Sequence, residues 1–216
     1  MTEYLTEQEQ VQQLKNWIKQ YGLTILIGIL LALAITTGWR YWQNYRNKIL
    51  SHASIVYDEM LTLRAQNNTD GASVQAKKLV SHYPRTPYAQ MAALMLARDA
   101  VLKKNYPESI NQLTWVLNHS KEQSIREIAR IRLARILITQ KKPDAALDFL
   151  KKVDDKSFVG LIDEVRGDAY IARNEANAAR KAYQLALAEI PNAEITRPIL
   201  QMKYDNLATI ENTKIS

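Results

Sequence analysis

Cysteine is absent from the 216 residues. That removes disulfides, thiolate metal sites and cysteine nucleophiles together, while leaving the compartment open, because a cysteine-free chain is tolerated in reducing and oxidising surroundings alike. Glycine and proline number six each and phenylalanine two. So few backbone breakers, with abundant alanine and leucine, favour helix over sheet. The three histidines, His52, His82 and His119, are far apart and lack ligand-like neighbours, so no metal site is expected. The phosphate-cradling patterns G-x-x-x-x-G-K-[ST] and G-x-G-x-x-G are missing, as is the G-x-S-x-G nucleophile elbow. Asp154-Asp155 and Asp163-Glu164 are carboxylate pairs, but adjacent residues of a helix do not face each other, so they read as solvated charges. No enzyme, cofactor or small-molecule substrate is expected.

Charge is missing from one long stretch. Nothing ionisable at neutral pH occurs from Gln20 through Trp39, and Gly22 to Trp39 reads GLTILIGILLALAITTGW. A helix of about 20 apolar residues, rising about 1.5 Å per residue, crosses the hydrocarbon core of a bilayer. Tyr21 stands at one end and Trp39, Arg40, Tyr41 and Trp42 at the other, where amphipathic rings match the aromatic belts of a spanning helix. The competing readings are a buried helix of a soluble core and a cleaved signal peptide. The first lacks any polar face stronger than threonine. The second has Ala32-Leu33-Ala34 as a cleavage pattern, but its leading segment is long and net negative where a signal needs a short positive start. Before the span, Val11, Leu14, Trp17 and Ile18 fall at helical spacing with Lys15 and Lys19, as in a short interfacial helix.

Overall the chain carries 29 basic and 22 acidic residues, net +7. Residues 1–20 are net -1 and the part after the span is net +8, a balance that draws a domain towards anionic surfaces. Lys15 and Lys19 precede the span, and Arg40, Arg46 and Lys48 follow it. By the positive-inside rule this count of two against three leans towards a cytoplasmic C-terminal domain.

After Tyr41 the pattern stays helical to the end. Breaks at Asn67–Gly71, Tyr83–Pro87, Asn105–Pro107, Asn118–Gln123, Lys141–Pro143, Asp154–Ser157, Asn174–Asn177 and Pro191–Pro198 mark out helices of about 12–16 residues. They also mark a repeat. In the unit from Gly160 to Asn192, Gly167, Tyr170, Ala179, Tyr183, Ala186 and Pro191 fall at positions 8, 11, 20, 24, 27 and 32, the tetratricopeptide spacing. Small residues at 8 and 20 bring two helices together, larger ones fill the gap, and the proline stops the second helix. A unit from Glu127 repeats the pattern with Ala134, Leu137, Ala146, Leu150 and Val153, and one from Gln90 with Ala97, Ala100, Ser109, Leu113 and Val116. Residues 53–84 read as a degenerate unit whose turn, Asn67–Gly71, is out of step. Residues 195–210 read as a capping helix, which a stack needs to cover its last apolar face. The expected chain is all-α: segment 1–20, span 21–42, and a repeat domain 43–216 with units near 53–84, 90–120, 127–156 and 160–192.

The concave face of such a stack is lined by first-helix positions 2, 5, 9 and 12. Here these are Met91, Leu94, Arg98 and Val101, then Ile128, Ile131, Arg135 and Ile138, then Leu161, Glu164, Asp168 and Ile171. A largely apolar face with Arg98 and Arg135 in equivalent places points to a protein partner, a hydrophobic segment or helix whose acidic groups the arginines orient; the alternative is that the C-terminal segment or a neighbouring helix already fills the face. The lysine and asparagine of repeats that clamp chaperone tails are replaced by Leu94 and Arg98, so that function is not expected. Lys77-Lys78, Lys103-Lys104, Lys141-Lys142 and Lys151-Lys152 are explained by helix dipoles, two of the pairs closing first helices. Nothing demands a nucleic-acid partner.

The order of motifs resembles the YfgM family, ancillary subunits of the bacterial SecYEG translocon. An acidic, glutamine-rich start and one span lead into Gly38-Trp39-Arg40-Tyr41-Trp42. Arg132-Leu133-Ala134-Arg135 follows, then Val165-Arg166-Gly167-Asp168-Ala169, then Gln201-Met202-Lys203 and Asn206-Leu207. This chain is basic where the family is acidic. The resemblance implies a single-pass inner-membrane protein with its repeats in the periplasm, opposite to the charge count. It also implies association with SecYEG and the chaperone PpiD during export of secretory proteins. A scaffold for another envelope complex, or one facing the cytoplasm, is the alternative.

Overall fold

The computed structural model describes residues 7–153 and 155–213, without the side chains of 7–9, 13, 193, 194 and 208–213. Glu3 of the acidic start and Asp154 of the Asp154-Asp155 pair lie outside the described residues. Two compact units divide between His52 and Ala53.

The first unit is the greater part of helix α1 (Glu7–Ala65). No break separates the expected interfacial segment from the span: Glu7 onward is one helix. Between Gln20 and Trp39 its apolar side chains, from Leu23 to Ile35, are exposed. By length and composition it is the one helix able to cross a membrane among the described residues.

In the second unit the end of α1 is followed by α2 (Thr69–His82), α3 (Pro87–Leu102), α4 (Tyr106–His119), α5 (Gln123–Thr139) and α6 (Pro143–Leu150). A single 3-10 turn (Lys156–Phe158) precedes α7 (Val159–Ala172), α8 (Ala176–Glu189), the short α9 (Ala193–Thr196) and α10 (Pro198–Thr213). Each helix from α2 to α8 packs on the next, α5 also meets α7, and α10 lies against α8. Contact between the first helices of successive pairs, α5 and α7, is what makes a stack out of a row of hairpins.

The turns show the repeat most clearly. Asn67, Lys104, Lys141 and Asn174 have positive φ of 59°, 56°, 59° and 62°, at intervals of 37, 37 and 33 residues. Each closes a first helix in the same way. The N–H of the following residue reaches back five residues (Asn68 to Leu63, Asn105 to Ala100, Lys142 to Leu137, Glu175 to Tyr170), and the left-handed residue reaches back three. This is the Schellman arrangement, which satisfies carbonyls that a helix end leaves open. The turn at Asn67, expected to be out of step, therefore has the geometry of the other three, and the end of α1 serves as the first helix of the first unit. Second helices start from matching signals: the Asn68 and Asn105 side chains accept from the N–H groups of Gly71 and Glu108, and Pro107 and Pro143 occupy first-turn positions where a missing N–H costs nothing.

Close helix approach follows from the small residues. Ala53, Ala89, Ala92, Ala93, Ala129, Ala134, Ala146, Ala169, Ala179 and Ala186 are fully buried. At Gly167 even an added Cβ would overlap the Tyr183 ring. Larger side chains fill what remains. Met60 and Leu79 lie in the first cluster, Leu113 and Val116 in the second, Leu150 and Val165 in the third, and Tyr183 and Leu200 in the last. Leu200 and Leu207 of α10 cover the end of the stack, as expected of a cap.

Candidate functional site

The first candidate is the anchor. Along α1, Tyr21, Trp39, Arg40, Tyr41 and Trp42 are all exposed, and about 20 residues of helix, roughly 30 Å, separate Tyr21 from Tyr41. The rings of Trp17 and Tyr21 lie tilted at 5.9 Å, those of Trp39 and Trp42 at 5.3 Å, and the Arg46 guanidinium lies 5.5 Å from the centre of the Trp42 ring. Aromatic pairs with cations just beyond them suit the headgroup layer. Between Tyr21 and Trp39 the polar side chains are the threonines Thr24, Thr36 and Thr37, each near an end of the span. The Thr36 hydroxyl donates to the Ala32 carbonyl at 2.9 Å and that of Thr37 to Leu33 at 2.7 Å. Hydroxyls satisfied within their own helix need no water.

The second candidate is the face formed by the first helices of the repeat. The structure divides the residues expected there. Leu94 and Ile131 are core residues, 6% and 4% exposed, Leu94 within the α3–α5 cluster and Ile131 against α6 and α7. Ile128 and Ile138 are half-buried, packed against those same clusters. Met91, Arg98, Val101 and Arg135 remain exposed. On α7 the equivalent acids are covered by the chain itself. Glu164, its side chain 9% exposed, lies 3.6 Å from Lys203 and 3.7 Å from Arg135 and is hydrogen-bonded by Arg197. Asp168 accepts from Lys203 at 2.6 Å and from the Tyr183 hydroxyl at 2.8 Å. Burial, then the Asp168 charge, holds the Tyr183 hydroxyl far above its ordinary pKa. The C-terminal segment thus occupies the α7 end of the face and leaves the α3 and α5 part open.

The open part deepens into a cleft of about 360 Å³ between α3, α4 and α5. Arg98, Arg132 and Arg135 line it, and Val101 and Leu102 form apolar wall. Burial lowers the pKa of Arg132, and the charges of Arg135 and Arg98 push the same way. Sequence reasoning missed Arg132, because it lies one residue beyond the repeat position assigned to the face. The run Arg130, Arg132, Arg135 was the available signal: Arg130 turns away to Glu127 and the Lys152 carbonyl, while the other two line the cleft with Arg98.

Comparison with known proteins agrees with this architecture. The model of the family described as tetratricopeptide repeat-like domain matches residues 15–209. The relatives include proteins named ancillary SecYEG translocon subunit. That of Neisseria gonorrhoeae is 32% identical over 96% of this chain and 100% of its own length. That of Haemophilus influenzae is 26% identical over 94% and 98%, and that of Escherichia coli K12 is 25% identical over 95% and 98%. A spanning helix joined to a stack of helix pairs, matched end to end by these relatives, places the chain in the family of ancillary SecYEG translocon subunits, within the tetratricopeptide repeat-like proteins.

Proposed function

We propose that the protein is a membrane-anchored interaction scaffold at the Sec translocon, holding its repeat domain in the periplasm and linking the translocon to a chaperone of the PpiD kind during export of secretory proteins. The observation that carries this reading is the full-length match to translocon subunits of a chain built as one anchor plus one repeat domain. The span keeps the domain at the inner membrane, and the exposed face of Met91, Arg98, Val101 and Arg135, flanked by Ile128 and Ile138, is the partner surface. The reading needs no catalytic group: a stacked repeat acts by holding partners close, which raises their effective concentration without any bond being made or broken.

A second reading has one observation behind it. Arg40, Arg46 and Lys48 outnumber Lys15 and Lys19 across the span, and a cytoplasm-facing scaffold fits that count. The difference is a single positive charge.

Copurification in mild detergent tests the leading reading. SecY and PpiD are expected together with the full chain at stoichiometric yield. Recovery of a different envelope complex with neither of them refutes it.

A further inference from the structure

The open cleft is an unbalanced piece of electrostatics. Arg98 has no hydrogen-bond or ion-pair partner among the described residues. Arg132 reaches only the Leu94 carbonyl, at 3.3 Å. Arg135 has Glu164 at 3.7 Å, an acid already shared by Arg197 and Lys203. Three like charges facing one cavity repel, and a low-dielectric wall strengthens the repulsion. Tyr106 and Thr139 also line the cleft, and neither brings a negative charge to offset the arginines.

We propose that this cleft binds the carboxylate of a glutamate or aspartate on a partner peptide. Arg98, Arg132 and Arg135 hold the carboxylate, and Val101 and Leu102 cover an apolar side chain beside it. The inference rests on the reading of this face as a partner surface, and narrows that surface to one acidic anchor. Guanidinium groups pair with carboxylates through two parallel hydrogen bonds, which the present carbonyl and distant acid do not supply. The apolar wall favours a peptide over a free anion: phosphate would satisfy the arginines and leave Val101 and the exposed Leu102 in water. A volume of about 360 Å³ suits one or two side chains, so the rest of the partner lies across the rim.

The test uses the full chain in mild detergent, labelled for NMR of arginine Nε–H groups. The probe is a twelve-residue peptide with leucine and glutamate on one helical face. Its control has glutamine for each glutamate. The glutamate peptide is expected to shift the Arg98, Arg132 and Arg135 signals saturably and to bind roughly tenfold tighter than the control, the worth of one charge-assisted contact. Arg98→Gln, at an exposed position that the fold does not use, should lose about the same factor. Equal binding of both peptides, or no shift with either, overturns the proposal. So does inorganic phosphate binding as tightly as the peptide, which would mark a free-anion site, or a response to phosphatidylglycerol bicelles alone, which would mark a membrane contact. Loss of the peptide response with SecY still copurifying removes this cleft only. A retained response without SecY removes the translocon reading instead.

Discussion

The ring of Tyr183 occupies the space where Gly167 has no side chain, and its hydroxyl donates to Asp168, one residue further along α7, at 2.8 Å. Repeat positions 8 and 24 are thus one steric unit. Gly167→Ala forces the ring out of that space, and overpacking of this kind costs about 1–3 kcal/mol. Urea unfolding of the full chain in detergent, followed by circular dichroism, should show a lower midpoint. An unchanged midpoint would mean that the ring moves aside freely.

The same tyrosine makes stability depend on alkaline pH. An unfolded tyrosine loses its proton near pH 10. Burial and Asp168 keep the folded hydroxyl protonated well above that. Above pH 10 the unfolded chain therefore binds fewer protons than the folded one, and stability falls by up to about 1.4 kcal/mol per pH unit from this group. Tyr183→Phe should be less stable by about 1 kcal/mol at pH 8, from the lost hydrogen bond, and the gap should close between pH 10 and 11. Parallel curves for the two proteins over that range would contradict the assignment.

Two of the four repeat turns place a lysine in the left-handed region, Lys104 and Lys141. Glycine relieves the Cβ contact there, less its own entropy in the unfolded chain. Lys104→Gly and Lys141→Gly are each expected to stabilise by about 0.5–1 kcal/mol. Asn67→Gly and Asn174→Gly should gain less, since asparagine tolerates that region. Urea midpoints of the four variants give the ranking.

Much of this was legible in the sequence. The span shows because charge stops at Lys19 and resumes at Arg40, and the last repeat because Gly167, Ala179 and Pro191 are residue types that its geometry demands. The first unit was harder. Its first helix is the end of α1, with no cap or break before it, so the 59-residue helix hid the register that Asn67 in fact keeps. The face was only half readable. Spacing assigns a residue to a side of a helix but not the depth of its neighbours, so Leu94 and Met91, three residues apart, were grouped together although one is core and the other 41% exposed. The cleft needed three helices at once, and no single-helix pattern contains it.

That division guides mutagenesis. Leu94→Ala should cost about 2–5 kcal/mol by opening a cavity, whereas Met91→Ala and Val101→Ala, on exposed positions, should cost less than about 1 kcal/mol. Only the latter pair separates partner binding from folding. Equal unfolding midpoints for Leu94→Ala and Met91→Ala would contradict the burial pattern.

Glu164 fastens the C-terminal segment, since Arg197 and Lys203 both converge on it. Glu164→Gln leaves Lys203 with Asp168 alone and takes from Arg197 the acid it pairs with, and should cost about 2–3 kcal/mol, at the lower end for breaking a buried pair because the cations are partly solvated. Limited proteolysis should then cut after α8 first. A cleavage pattern like that of the unmodified chain would show that Leu200 and Leu207 suffice to hold α10.

The central claim is a repeat domain held outside the cytoplasm by one anchor, and topology tests it most directly. An epitope after Ser216 should be digested by protease added to intact spheroplasts. Protection of the epitope until the cells are lysed would contradict the account and place the repeats in the cytoplasm, as the charge count across the span would have them.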